Sequence, residues 1–293
     1  MSTPPSTAPS STTPPSTTPT RPVALVTGAS RGIGRAIALA LAGAGYDVAI
    51  TGRTVTEGTS DEGLPGSLAS TTKEIEALGA QAFGLQMDLL DRDNLVPTVE
   101  AVLDHFGYID VLVNNAISVG PGNDQLFLDV DMNDVERRIT GNLTAQLVIT
   151  QRVLKAMVER GGGTVVNITS GAGMTSPTGP IGNGGWALSY AVSKGGFHRA
   201  AGVIAAELGD RGIRAYNLQP GYIVTERVAM QPQLSFIAQR GNKPELVGDV
   251  LVWMVQAPPG TIRNGKTVHA TKAGQDLGLL PPDEQASDAV LYS

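Results

Sequence analysis

Seven short, uninterrupted apolar runs alternate with helix-forming sequence, and this alternation constrains the fold more than any other feature of the chain. VALVT (23–27), DVAIT (47–51), AQAFGLQ (80–86), IDVLV (109–113), TVVNIT (164–169), IRAYNL (213–218) and KTVHA (266–270) are the runs. Continuous apolar strands are buried on both faces, as in a parallel sheet whose connections cross over through helices. Helices are expected from the end of GASRGIG to about Gly43, in LASTTKEIEALG and LVPTVEAVLDHFG, over about 132–159 and 187–208, and in PELVGDVLVWMVQ. The polar stretch GRTVTEGTSDEGLPGS reads as a long loop, and the segment from the end of IRAYNL to about residue 243 as irregular. The expected class is α/β, a doubly wound, mostly parallel seven-stranded sheet with helices on both faces.

Composition narrows the function. The 293 residues are 41% hydrophobic and 16% charged, suited to one large domain with a sizeable core. The absence of cysteine excludes disulfides, thiolate metal sites and cysteine nucleophiles. A net charge of −6 argues against a nucleic acid or an anionic membrane as partner, and no run of about 18 apolar residues is present to span a bilayer. Residues 1–21 are almost entirely Ser, Thr and Pro and are expected to be disordered. They lack the basic start and apolar middle of a signal peptide, so a cytoplasmic location is expected. The single domain is expected over 22–293, with a C-terminal extension from about 271. The acidic DVDMNDV (129–135) lacks the glycine and glutamate of a calcium loop, and His105, His198 and His269 have no ligand spacing, so no metal is expected.

Directly after the first run, Gly28, Gly32 and Gly34 open a helix, with Ser30, Arg31 and Ile33 among them. A helix N-terminus offers unpaired N–H groups and a partial positive charge, and glycine lets a pyrophosphate approach the backbone. At the end of the second run, where an acid would accept from a ribose 2′-hydroxyl, stands Gly52 followed by Arg53. Arg31 and Arg53 suit a 2′-phosphate, so NADP is favoured over NAD.

Tyr190 and Lys194 stand at i and i+4, on one face of a helix that follows the fifth run. There an open parallel sheet places its ligand crevice. A free phenol titrates near ~10 and serves poorly at neutral pH, but an adjacent ammonium favours the phenolate. Lys194 is the candidate activator, and a serine hydroxyl would hold a substrate carbonyl beside the phenol.

Taken in order, TGASRGIG (27–34), Asp88, NNA (114–116), GNLT with Asn142, VVNITS ending in Ser170, YAVSK (190–194) and PGYIVTE (220–226) resemble the short-chain dehydrogenase/reductase family, in its short single-domain form. The resemblance covers about residues 22–270. It implies a Rossmann fold, a nicotinamide cofactor, and a tetrad of Asn142, Ser170, Tyr190 and Lys194. It further implies that Asn142 kinks its long helix and holds a water linking Lys194 to solvent, and that Asp88 and Leu89 lie by the adenine. Asn114, Asn115 and Ala116 would support the sheet near the cofactor, and Pro220, Gly221, Ile223 and Thr225 would lie at the nicotinamide. It also implies a homo-oligomer, a dimer or tetramer formed through the two long helices.

Two features depart from the family. Nineteen residues separate Ser170 from Tyr190, more than is usual, and Ser176 stands nearer the usual distance. Ser170 is preferred because it ends its strand directly. The C-terminus reads GKTVHATKAGQDLGLLPPDE in place of a closing Asp-Gly-Gly. The expected activity is hydride transfer between NADP(H) and a small carbonyl or alcohol substrate. The alternatives are a catalytically inactive dinucleotide-binding sensor or scaffold of the same fold, and a sugar-nucleotide epimerase, for whose larger substrate domain the chain is too short.

Overall fold

The computed structural model describes residues 21–122, 124–231 and 234–281. The tail expected over 1–21 and the end of the expected C-terminal extension lie, apart from Arg21 and residues up to 281, outside the described residues. In chain order the elements are β1 (Val23–Thr27), α1 (Gly32–Gly43), β2 (Asp47–Gly52), α2 (Leu68–Ala77), β3 (Ala82–Gln86), α3 (Arg92–Phe106) and β4 (Val111–Asn114). There follow α4 (Met132–Ile139), α5 (Ala145–Arg160), β5 (Gly163–Ile168), α6 (Leu188–Leu208) and β6 (Ile213–Gln219). The chain continues through α7 (Glu226–Met230), α8 (Ser235–Arg240), α9 (Pro244–Gln256), β7 (Thr267–His269) and α10 (Ala270–Asp276).

The strands form one seven-stranded sheet in the order β3-β2-β1-β4-β5-β6-β7, every pair parallel. Strand side chains alternate between faces, and the apolar runs feed two cores in turn. Ala24 and Val26 of β1 join one cluster with α1 and α9, and Leu25 joins the other with α3 and α5. In β4, Val111 and Val113 face the first core and Leu112 the second. The fold is thus the Rossmann-like doubly wound sheet. β1 pairs with β2 on one side and β4 on the other, so strand order reverses there and a crevice opens at the carboxyl ends.

Three elements differ from expectation. The helix expected over 132–159 is two helices joined by a π-helical turn, Thr140–Thr144, with Asn142 at its centre. The segment expected to be irregular holds the short α7 and α8. The last strand is three residues long, because Ala270 already begins α10. No helix among the described residues is long and apolar enough to cross a membrane.

Helices α1 and α9 meet at Gly248, where a Cβ would lie 2.9 Å from both the Ala36 carbonyl oxygen and the Ala40 Cβ. Backbone and methyl cannot yield as a flexible side-chain end can. Gly248→Val is therefore expected to lower stability by about 1–3 kcal/mol, read as a lower thermal midpoint with cofactor affinity retained.

Candidate active site

The glycine loop crosses the carboxyl end of β1 at the switch point. Gly28 and Gly32 take left-handed backbone, φ 69° and 57°. A Cβ on Gly34 would lie 2.3 Å from the Gly28 carbonyl oxygen and 2.4 Å from Asn115 Nδ2, and one on Gly28 would lie 2.7 Å from Ala116 Cα. Asn115 Nδ2 donates to the carbonyls of Thr27 (2.9 Å) and Gly28 (3.1 Å), holding the loop against the end of β4. Asn114 Nδ2 donates to Thr150 Oγ1 and Asn167 Oδ1, joining β4 to α5 and β5. Ser30 is buried, and Ile33 packs on the α1–α9 core. No side chain caps the N-terminus of α1 at Arg31. The uncapped N–H groups and the glycine cradle fit a dinucleotide pyrophosphate.

Beyond β2 the loop folds back over this cleft. Arg31 donates to the carbonyls of Pro65 (2.8 Å) and Gly66 (2.7 Å) and to Thr54 Oγ1 (3.0 Å). Arg53 pairs with Glu62 at 3.1 Å and lies 3.9 Å from Asp61, and Glu62 also binds Arg227 of α7. Burial pushes the Glu62 carboxyl up, but its bond to Arg227 and the charges of Arg227, Arg53 and Arg31 hold it below the ordinary range. The sequence suggested arginines without a carboxylate here. The fold corrects this, because the loop returns Asp61 and Glu62 to the end of β2. Arg53, Thr59, Asp61, Gln86, Asp88 and Asn94 line a cavity of about 480 Å³ beside them. Asp88 accepts from the Leu90 N–H at 2.9 Å, and the neighbouring Leu89 is buried.

The candidate catalytic groups meet at the ends of β5 and β6. Ser170 follows β5 and caps a 3₁₀ turn, Gly171–Gly173, by accepting from the Ala172 N–H at 3.3 Å. That turn lies directly on α6, where a Cβ on Gly173 would stand 2.6 Å from the Lys194 carbonyl. The close approach brings the Ser170 hydroxyl toward Tyr190, where it acts to lower the pKa of the phenol. Ser176, in contrast, is exposed. Lys194, 4% exposed, donates from Nζ to the Ile168 carbonyl at 2.8 Å. Asn142 Oδ1 accepts from the Ser118 N–H at 2.7 Å, and its Nδ2 reaches Ser193 Oγ at 3.4 Å. The π turn is thereby tied to both β4's continuation and α6. Past β6, Gly221 has φ 79° and Ile223 is buried. A Cβ on Gly32 would lie 3.3 Å from Thr225 Cγ2, so the Pro220–Thr225 segment closes against the glycine loop.

The family model for the short chain dehydrogenase matches residues 22–233. The chain belongs to the short-chain dehydrogenase family. It is 35% identical over 252 residues to a 3-oxoacyl-[acyl-carrier-protein] reductase from Synechocystis, covering 85% of this chain and 94% of that one. A reductase of the same name from Aquifex aeolicus is 35% identical over 254 residues, covering 84% and 94%. Among solved structures, a 3-oxoacyl-[acyl-carrier protein] reductase from Brucella melitensis in complex with NAD superposes with a TM-score of 0.70 at 29% identity, covering 85% and 95%.

Burial pushes the Tyr190 phenol up, while the Ser170 hydrogen bond and the charge of Arg138 pull it down. The sequence pointed to Lys194 as the neighbouring cation and missed Arg138 on α4, four residues before Asn142 in the π turn. That i, i+4 spacing was the available signal. Asp61, Glu62 and Arg227 were missed as well, since nothing local ties them to the cleft. Among the described residues no cluster of three His, Asp or Glu could hold a metal.

Burial brings the Lys194 ammonium from its ordinary 10.5 down to about 8. A lysine whose pKa is depressed by folding destabilises the fold fully below the folded value, and this penalty fades as pH rises to the unfolded value. Cofactor-free Lys194→Met is thus expected to be more stable than the parent below pH 8 by about 1–2 kcal/mol, after allowing for the lost bond to Ile168. The advantage should vanish between pH 8 and 10.5 in thermal melts, whatever happens to turnover.

Proposed function

We propose that this chain interconverts a carbonyl and an alcohol with NADP(H), using Tyr190 as general acid and base. The observation that carries the proposal is the convergence of Ser170, whose 3₁₀ turn rests on α6, with Tyr190 and the buried Lys194 one helical turn further along that helix. A nicotinamide dinucleotide in the crevice supplies or accepts the hydride. In the reducing direction the Ser170 hydroxyl orients the carbonyl oxygen, the Tyr190 phenol gives it a proton, and the phenol is left as phenolate. Lys194 stabilises that phenolate and binds the cofactor ribose, and Asn142 positions a water through which the proton is restored. Gly28, Ser30, Gly32 and Gly34 receive the pyrophosphate, and Asp88 and Leu89 border the adenine.

The preference for NADP rests on Arg31 and Arg53 beside the position that Gly52 occupies in place of an acid. Both arginines are already engaged, Arg53 with Glu62 and Arg31 with the loop carbonyls. A 2′-phosphate therefore competes with Glu62 for Arg53. For the substrate we propose a carbonyl compound with an apolar body. Leu126, Phe127 and Leu128, on the segment that leaves β4, and Met230, past β6, expose apolar side chains on the crevice side of the sheet. The reductases to which the chain is similar make 3-oxoacyl thioesters the first candidates. Homo-oligomerisation is proposed through α5 and α6, whose exposed groove of about 470 Å³ is lined by Leu147, Leu154, Val158, Ile204 and Leu208.

Oxidation of NADPH and NADH with ketones, aldehydes and 3-oxoacyl thioesters tests the activity. Tyr190→Phe is expected to lower kcat by about 10²–10⁴-fold with NADPH affinity retained; undiminished turnover would refute the mechanism. Arg53→Ala is expected to weaken NADPH far more than NADH in fluorescence titrations, and equal weakening would refute the cofactor assignment.

A further inference from the structure

Arg138 is one of the most buried charges in the molecule, 5% exposed, and forms no ion pair among the described residues. Its Nη1 donates to the Ser118 carbonyl at 3.4 Å, and its Nη2 to those of Gly120 at 3.0 Å and Pro121 at 3.5 Å. Its Nε is buried without a partner. Withdrawing a guanidinium from water is unfavourable unless a compensating charge is near, and three backbone carbonyls supply only partial charge. The segment it grips is also held by Asn142 at Ser118 and by Ser189, the residue before Tyr190, whose Oγ donates to the Gly122 carbonyl at 3.4 Å. Arg138 thus stands between the π turn and the first turn of α6, where an anion appears each time Tyr190 gives up its proton.

We propose that Arg138 is a positioning residue for the Tyr190 phenolate: it fixes the Ser118–Pro121 wall beside α6 and presents to the tyrosine a buried positive charge that forms no ion pair among the described residues. The proposal rests on the role given above to Tyr190. The groups acting on the phenol are Ser170 after β5 and Arg138 on α4, and those acting on Arg138 are Tyr190, Arg137 and Asp134. Burial lowers the Arg138 pKa, but a guanidinium stays charged at any pH the enzyme meets. Lys194 donates one N–H to the Ile168 carbonyl at the end of β5, whereas Arg138 donates to the Ser118–Pro121 segment on the side of the π turn.

The test is the pH profile of alcohol oxidation, whose alkaline rise follows phenolate formation, in the full-length protein carrying Arg138→Met, Arg138→Gln and Arg138→Lys. The neutral variants are expected to move that rise upward by about one pH unit with NADP affinity unchanged, and Arg138→Lys to restore most of the parent profile. Arg138→Gln can still donate to the loop carbonyls, so a folding failure of Arg138→Met leaves the test intact. A rise that stays in place while kcat and thermal midpoint fall together would reduce Arg138 to a scaffold and overturn the proposal. A KM increase confined to anionic substrates, with the rise unmoved, would give the guanidinium to the substrate and overturn it too. Tyr190→Phe is measured alongside. Its retained turnover would remove the reading of Tyr190 itself, whereas an inactive Tyr190→Phe with an unmoved rise in the arginine variants refutes only the role of Arg138.

Discussion

The Thr27 hydroxyl joins the two halves of the sheet at the one place where the strand order reverses. Fully buried, it accepts the backbone N–H groups of Asn115 (3.0 Å) and Ala116 (3.1 Å) and donates to the Val113 carbonyl at 3.3 Å. A hydroxyl has one proton and two lone pairs, and here all three are used. With β1 and β4 held in this register, Asn115 reaches back to the Thr27 and Gly28 carbonyls and the glycine loop is pressed onto Ala116. The crevice and the uncapped N-terminus of α1 follow from that contact, since neither the loop nor the helix start has room to shift.

A second close approach builds the catalytic side. The 3₁₀ turn after Ser170 rests on the backbone of α6 because Gly173 has no Cβ to separate them. This brings Ser170, and not the exposed Ser176, toward the start of α6, whatever the length of the segment between them. The extra residues fold into a separate excursion, with Thr178 bonded to the Gly184 carbonyl and a bridge between Ile181 and Gly185. Proximity along the chain is a poor guide here, because a strand end and a helix start are brought together by sheet topology.

Charge is distributed less simply than the motifs suggest. The cleft holds Arg31, Arg53 and Arg227 on one side with Glu62 among them, and Arg138 and Lys194 on the other, neither in an ion pair among the described residues. The first group is a set of exposed or half-exposed pairs, individually weak, that ties the loop after β2 to α7. The second is buried and without an ion pair among the described residues, and a charge in a low-dielectric site has a larger effect on any anion formed beside it. The two sides of one crevice thus serve a structural purpose and an electrostatic one.

Much of the site was legible because its causes are local. Gly28, Gly32 and Gly34 are required where the backbone turns left-handed or touches its neighbour, and Tyr190 and Lys194 share a face because a helix repeats every 3.6 residues. The alternation of buried runs and helices was enough for the parallel sheet, since no other arrangement covers both faces of such strands. The preference for Ser170 came from its strand-end position and the kink at Asn142 from the family resemblance alone, whereas the return of Glu62 to Arg53 and the burial of Arg138 were not legible. Both of these depend on which distant segments the closed sheet brings within a few ångströms, and a one-dimensional pattern carries periodicity and chemistry but not that proximity. The sequence by itself determined the fold class and the kinds of side chain available at the crevice. Only the tertiary structure decided which of them face one another, because desolvation and hydrogen bonding act over contact distances that the packing of α4, α6 and the loop after β2 alone sets.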